Sequence, residues 1–223
     1  MTYETGLTWL SEQCDELADL PPAEMDRLIE QGPVPAMVLI TERSVRELGR
    51  PASLQLGRDV RRLLDSGLAE ETIRTAWVGS TDYAFDPARR QTGAREWLER
   101  IESAWLAAEA RRDPGFTPPP ARPVTDGSLR AAVRGATAPV AAALTRAHEE
   151  GEVYNPLPLL SPLVPALEQV ITGACADLGF RFLLRAVRRH ALPLDGPYRA
   201  GLVALGERLG HPEGAVTQGL RRA

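Results

Sequence analysis

Proline placement constrains this chain more than any other feature. Pro114, Pro118, Pro119, Pro120 and Pro123 fall within the run DPGFTPPPARPVTDG, from Asp113 to Gly127. Proline has no amide N–H and holds the residue before it extended, so a helix cannot run through this segment. An extended, polyproline-like linker over 113–127 is expected. It divides the chain into 1–112 and 128–223. A second cluster, NPLPLLSPLVP from Asn155 to Pro165, is too apolar for a free linker and is expected to pack on the core.

Both halves read as helical. Leu7, Leu10, Cys14 and Leu17 recur at helical spacing before Pro21-Pro22 ends the run. The apolar run Ala36–Ile40 fits a strand or a buried helical turn, and Val45 and Leu48 continue it at helical spacing. Ser53 is placed to cap a helix with inner face Leu56, Val60, Leu63 and Leu64. Glu70 and Glu71 suit a first turn, where the helix dipole favours acids. Asp86 before Pro87 is a cap followed by a first-position proline. Trp97, Ile101 and Trp105 then form a stripe at i, i+4 and i+8. In the second half, Val140 and Leu144 align, a helix from Pro165 to Leu178 bends at Gly179, and Phe180, Leu183, Leu184 and Val187 line the next. About ten helices without convincing strands predict an all-α fold of two packed helical subdomains.

Composition excludes several chemistries. All 26 basic residues are arginine, and the chain has no lysine. A Walker A loop, a protein kinase and a Schiff-base enzyme each require a lysine amine. Either codon usage or selection against lysine modification accounts for the gap. Cys14 and Cys175 are too few for a disulfide framework or a cysteine-built zinc site. Cys14 lies on an acidic helix, which opposes thiolate formation. His148, His190 and His211 form no metal motif, and Gly151 interrupts the acid cluster after His148. Asp82 and Asp86 read as a turn and a cap. No cofactor is implied. With no apolar run of 18 residues and no signal-type leader, no membrane role and a cytoplasmic location are expected.

Charge is segregated. Residues 1–31 carry eight acids against Arg27, a net of -7, and residues 181–223 carry eight arginines against three acids, a net of +5. Glu12, Asp15, Glu16 and Asp19 form an acidic candidate surface for a basic partner. Arg181, Arg185, Arg188 and Arg189 share a helical face. It reads as the wet side of an amphipathic helix or as a site for an anion or acidic partner.

The most specific pattern lies at Leu202–Ala223. Leu205 and Leu209 bury one helix, Gly210 supplies a left-handed turn, and Pro212 opens a helix running to Arg222 with Val216 and Leu220 facing back. With Gly214, Arg221 and Ala223, these residues resemble the helix-turn-helix of sigma-factor region 4. Gly206 and His211 depart from that pattern, at positions where Ala and a branched apolar residue are usual. The resemblance implies that Thr217, Gln218, Arg221 and Arg222 approach DNA, with Glu213 beside them. Three expectations follow. The first is a non-enzymatic cytosolic protein that binds another protein as adaptor, immunity-type inhibitor or regulatory subunit. The second is a DNA-binding transcription regulator. The third is an enzyme with an unrecognised helical site.

Overall fold

A computed structural model describes residues 5–16, 30, 32–47, 49–81, 85–122, 126–149 and 160–222. The fold is all-α. Helices α1 (Gly6–Glu16), α2 (Pro33–Glu47), α3 (Arg50–Leu64), α4 (Glu70–Ser80) and α5 (Ala94–Arg112) precede the proline segment. Helices α6 (Gly127–Gly135), α7 (Thr137–Glu149), α8 (Leu160–Gly173), α9 (Ala176–Arg189), α10 (Gly196–Leu209) and α11 (Glu213–Thr217) follow it. A two-residue parallel pairing joins β1 (Pro193–Leu194) to β2 (Arg221–Arg222).

Helix α9 is the hub. Every residue from Ala176 to Val187 is buried except Asp177, which is partly covered. It packs on α8, α4, α6 and α1, while α5 packs on α2, α3 and α4. Leu7, Leu10, Trp77, Trp97 and Ile101 from one side of the proline segment join Val133, Val170, Phe180 and Leu202 from the other in one contiguous core. Burying each large apolar side chain contributes about 1.5–3 kcal/mol. The rings of Trp77 and Trp97 lie 4.7 Å apart at 45° within it. A satellite cluster gathers Val45, Trp105 and Ala108, with Phe116 against it.

Aspartate caps open three elements. Asp86 accepts the Ala88 N–H at 3.0 Å, opening a 3-10 turn over Pro87–Arg90, and α5 then begins after Gly93. Asp126 accepts the amides of Ser128 and Leu129 to start α6. Asp195 does the same for Tyr198 at the start of α10. Gly210 ends α10 in the left-handed conformation expected of it.

Three local expectations are corrected. Ser53 is not a cap: α3 begins at Arg50, and the buried Ser53 hydroxyl donates to Glu109 at 2.5 Å. The break between α8 and α9 falls at Ala174–Cys175, not at Gly179. Gly179 sits inside α9, where any Cβ would come within 2.3 Å of Ile171 Cγ1, so it serves close packing of α9 on α8. Finally, α11 stops at Thr217 instead of reaching Arg222. Leu220 is buried and the next two residues pair with β1, which a continuing helix would prevent.

The proline segment is not a loose linker. Arg50 Nη2 donates to Asp113 at 2.9 Å, and the Phe116 ring meets Trp105 edge-on at 5.5 Å. Further on, Arg61 Nη1 donates to the Pro119 carbonyl at 2.9 Å and Arg62 Nη2 to the Arg122 carbonyl at 2.6 Å. The segment is a strap laid along α3.

Candidate functional site

The densest polar site is built around Arg181. On α9, Asp177 precedes it by one turn, and Arg181 Nε and Nη2 both donate to Asp177 Oδ2, at 3.2 and 3.0 Å. Asp59 reaches the same guanidinium from α3, with Nη1–Oδ2 and Nη2–Oδ1 both at 2.7 Å. Arg181 Nη1 also donates to the Thr5 carbonyl at 3.0 Å. All five N–H groups that arginine possesses are thereby used.

Asp59 is equally occupied. Its Oδ2 accepts the Leu7 amide at 3.1 Å, and its Oδ1 accepts Gln55 Nε2 at 2.8 Å. Arg62 Nη1 stands 3.6 Å from Oδ1. The Leu7 amide is one of the donors left without an intrahelical partner in the first turn of α1, and the dipole there favours a carboxylate. Gly6 makes this approach possible. Its φ is +64°, and a Cβ would stand 1.9 Å from Asp59 Oδ2.

The chain of contacts continues outward. His211, in the turn after α10, holds Asp177 Oδ1 through Nε2 at 2.7 Å, and its ring stacks on Phe180 with centroids 6.0 Å apart. Burial pushes the Asp177 carboxyl up, but the charge of Arg181 and the hydrogen bond from His211 outweigh it and hold the group well below its usual range. Burial works against the Arg181 charge too, and Asp177 and Asp59 overcome it, so Arg181 stays protonated. The site therefore fixes charges in place and ties α1, α3, α9 and the α10–α11 turn together.

The expected arginine face is corrected by this arrangement. Arg181 and Arg185 are only 5% and 7% exposed. Neither presents an outward docking face, because α1, α3 and the end of α4 offer acceptors to that stripe. Arg185 Nη2 donates to Ser11 Oγ at 3.3 Å. Arg188 holds the Ala215 and Val216 carbonyls of α11, and Arg189 Nε donates to the Thr81 carbonyl at 3.0 Å. Of the four arginines, Arg189 alone is exposed.

The acidic candidates lie in the last turns of α1 and beyond. Glu12 is half-buried. Asp15 and Glu16 belong to α1, but their side chains fall outside the described residues, as do Asp19 and Asp82 entirely. Among the candidates for DNA contact, Thr217 closes α11 with its hydroxyl donating to Glu213 O, while Gln218 and Arg221 are exposed. Arg222 lies in β2, with its side chain outside the description.

Sequence reasoning missed Asp59, Asp177 and His211 as one group. Asp59 carried a readable signal: it is an acid beside the inner face Leu56, Val60 and Leu63. Buried polar groups recur elsewhere. Arg74 grips the buried Asp86 through Nε and Nη2 at 2.9 and 2.6 Å, which raises the Arg74 pKa. Arg112 reaches the buried Glu109 at 2.8 Å. His190 Nε2 donates to the Gly79 carbonyl at 3.1 Å, and burial, helped by the Arg189 charge and opposed by that hydrogen bond, lowers its pKa to about 4.

Among the described residues, no three His, Cys, Asp or Glu side chains are placed to hold a metal ion, and no helix is long and apolar enough to cross a membrane. No family model, curated protein or solved structure matches the chain.

Proposed function

We propose that this chain is a non-enzymatic helical protein that acts in the cytoplasm by binding another protein, as an adaptor, an immunity-type inhibitor or a regulatory subunit. The observation that carries this reading is the use of the buried charges. Arg181 spends all its N–H groups on Asp59, Asp177 and Thr5. Arg74 ties α4 to the buried Asp86 cap, and on α5 Arg112 donates to the Val45 carbonyl of α2 while Glu109 accepts the Ser53 hydroxyl of α3. Such groups build a frame, and recognition is left to charges outside it. The acidic segment with Glu12, Asp15, Glu16 and Asp19 suits a basic partner through long-range attraction.

Affinity purification of the tagged chain, with and without nuclease, tests this reading. A stoichiometric protein partner survives nuclease, and reversing the four acids to arginine abolishes its recovery. A partner retained unchanged by the reversed variant removes the acidic surface from the argument. Nucleic acid recovered alone, and lost on nuclease treatment, removes the protein-binding reading.

A second reading, DNA binding by the C-terminal segment, rests on the left-handed Gly210 turn with Val216 and Leu220 buried behind it, although α11 ends at Thr217 and Arg221 lies in β2. In that case affinity falls steeply with salt and Arg221→Ala weakens it.

A further inference from the structure

The prolines in the strap over α3 favour an extended backbone like that of a polyproline II helix. At about 3.1 Å per residue, the path from Phe116 to Arg122 covers about 19 Å. The stretch of α3 from Arg50 to Arg62, at about 1.5 Å per residue, covers about 18 Å. Three anchors hold the strap to α3: Phe116 packs under the Arg50 guanidinium at 5.9 Å, Arg61 holds the Pro119 carbonyl at 2.9 Å, and Arg62 holds that of Arg122 at 2.6 Å. Thr117, Pro118, Pro119 and Arg122 each precede a proline, which keeps their backbone extended.

A polyproline II helix repeats every three residues. Pro119 and Arg122 are one repeat apart, and both carbonyls are clamped down by arginines of α3. Thr117 and Pro120 are one repeat apart on another edge, and both are exposed. Arg122 is exposed as well, and its guanidinium meets no acid among the described residues.

We infer that this strap is a ligand presented to a partner protein whose groove is lined with aromatic rings and flanked by a carboxylate. Proline-rich segments dock in such grooves because their conformation is set before binding. Here the two carbonyl clamps remove still more of the ordering cost. The outward edge at Thr117 and Pro120 lies against the rings, and Arg122 meets the carboxylate. The strap is a different stretch of the chain from the acidic segment at Glu12–Asp19, and each is tested by its own substitutions.

The test titrates the full chain against a panel of isolated SH3 and WW domains, whose aromatic grooves take polyproline II ligands. At least one domain binds the wild-type chain. Pro120→Ala and Arg122→Glu each weaken that binding about tenfold, with the melting temperature unchanged. Arg61→Ala leaves the exposed edge intact but releases the Pro119 carbonyl, and it weakens binding several-fold. The inference is overturned if no domain binds the wild-type chain, or if Pro120→Ala and Arg122→Glu bind as tightly as wild type. Charge reversal at Asp15 and Glu16 leaves strap binding intact, which separates this result from the fate of the acidic surface.

Discussion

Arg181 and Asp59, 122 residues apart in sequence, meet inside the protein through two parallel contacts of 2.7 Å each. The pair links the central helix α9 to α3, and through the Leu7 amide and the Thr5 carbonyl it also fixes the start of α1. Removing one partner of a buried pair strands the other charge, which typically costs about 3–5 kcal/mol. Asp59→Ala and Arg181→Ala should each lose that much in urea unfolding. The double variant should lose clearly less than the sum of the two, with a coupling on the order of 2 kcal/mol. Strictly additive losses would show that the contact does not couple the helices.

Gly6 provides a sharper test of the same geometry. Alanine there would hold a left-handed backbone, which costs roughly 1–2 kcal/mol. Its Cβ would also stand 1.9 Å from Asp59 Oδ2, so the carboxylate must move off the Leu7 amide. Gly6→Ala should therefore lose about 2–4 kcal/mol. Gly67→Ala, where a Cβ meets nothing within 4 Å, should change stability by less than about 0.5 kcal/mol. Equal effects at the two positions would contradict the close approach.

How much of this could be read from the chain is clearest on α9. The stripe of Arg181, Arg185 and Arg188 is a periodic signal, and the helix carrying it exists as expected. The side it faces is a tertiary fact. Periodicity shows that a helix has a polar edge, but water and a buried carboxylate on another helix satisfy that edge equally well. Asp59 comes from a distant part of the chain and has no local signature beyond its place beside an apolar stripe. The proline run at 113–127 teaches a related lesson. Proline forbids a helix there, which was legible, but the clamps from Arg61 and Arg62 depend on α3 lying alongside. Caps at Asp86, Asp126 and Asp195 were more legible because their acceptors and amides sit within three residues.

The two adjoining tryptophans, Trp77 and Trp97, should respond differently to the same substitution. Trp77 Nε1 donates to the Phe85 carbonyl at 3.1 Å. The Trp97 indole N–H is buried with no acceptor among the described residues. Phenylalanine removes a similar volume at both sites. At position 77 it also breaks a hydrogen bond, whereas at 97 it deletes an unsatisfied donor whose burial costs about 1–3 kcal/mol. Trp97→Phe should thus be milder than Trp77→Phe by about 1–2 kcal/mol in chemical denaturation. The opposite order would mean that the Trp97 N–H has a partner in the folded protein.

His190 should make the protein sensitive to mild acid. Its pKa falls from an ordinary 6.5 to about 4, chiefly through burial, so the folded state holds it neutral. Between those values the unfolded chain binds the proton more readily than the folded one, and stability must rise with pH. The contribution is fully present above pH 6.5, is lost as the pH falls, and levels off below about 4. Its full size is on the order of 3 kcal/mol. His190→Gln keeps an N–H for the Gly79 carbonyl but cannot take up a proton in this range. Urea midpoints measured at pH 7 and pH 4.5 should therefore differ much less in His190→Gln than in the wild type. Below pH 4 both proteins should still weaken as Asp177, held low by Arg181 and His211 against its burial, is finally protonated. If His190→Gln keeps the wild-type slope between pH 7 and 4.5, another group carries the acid sensitivity.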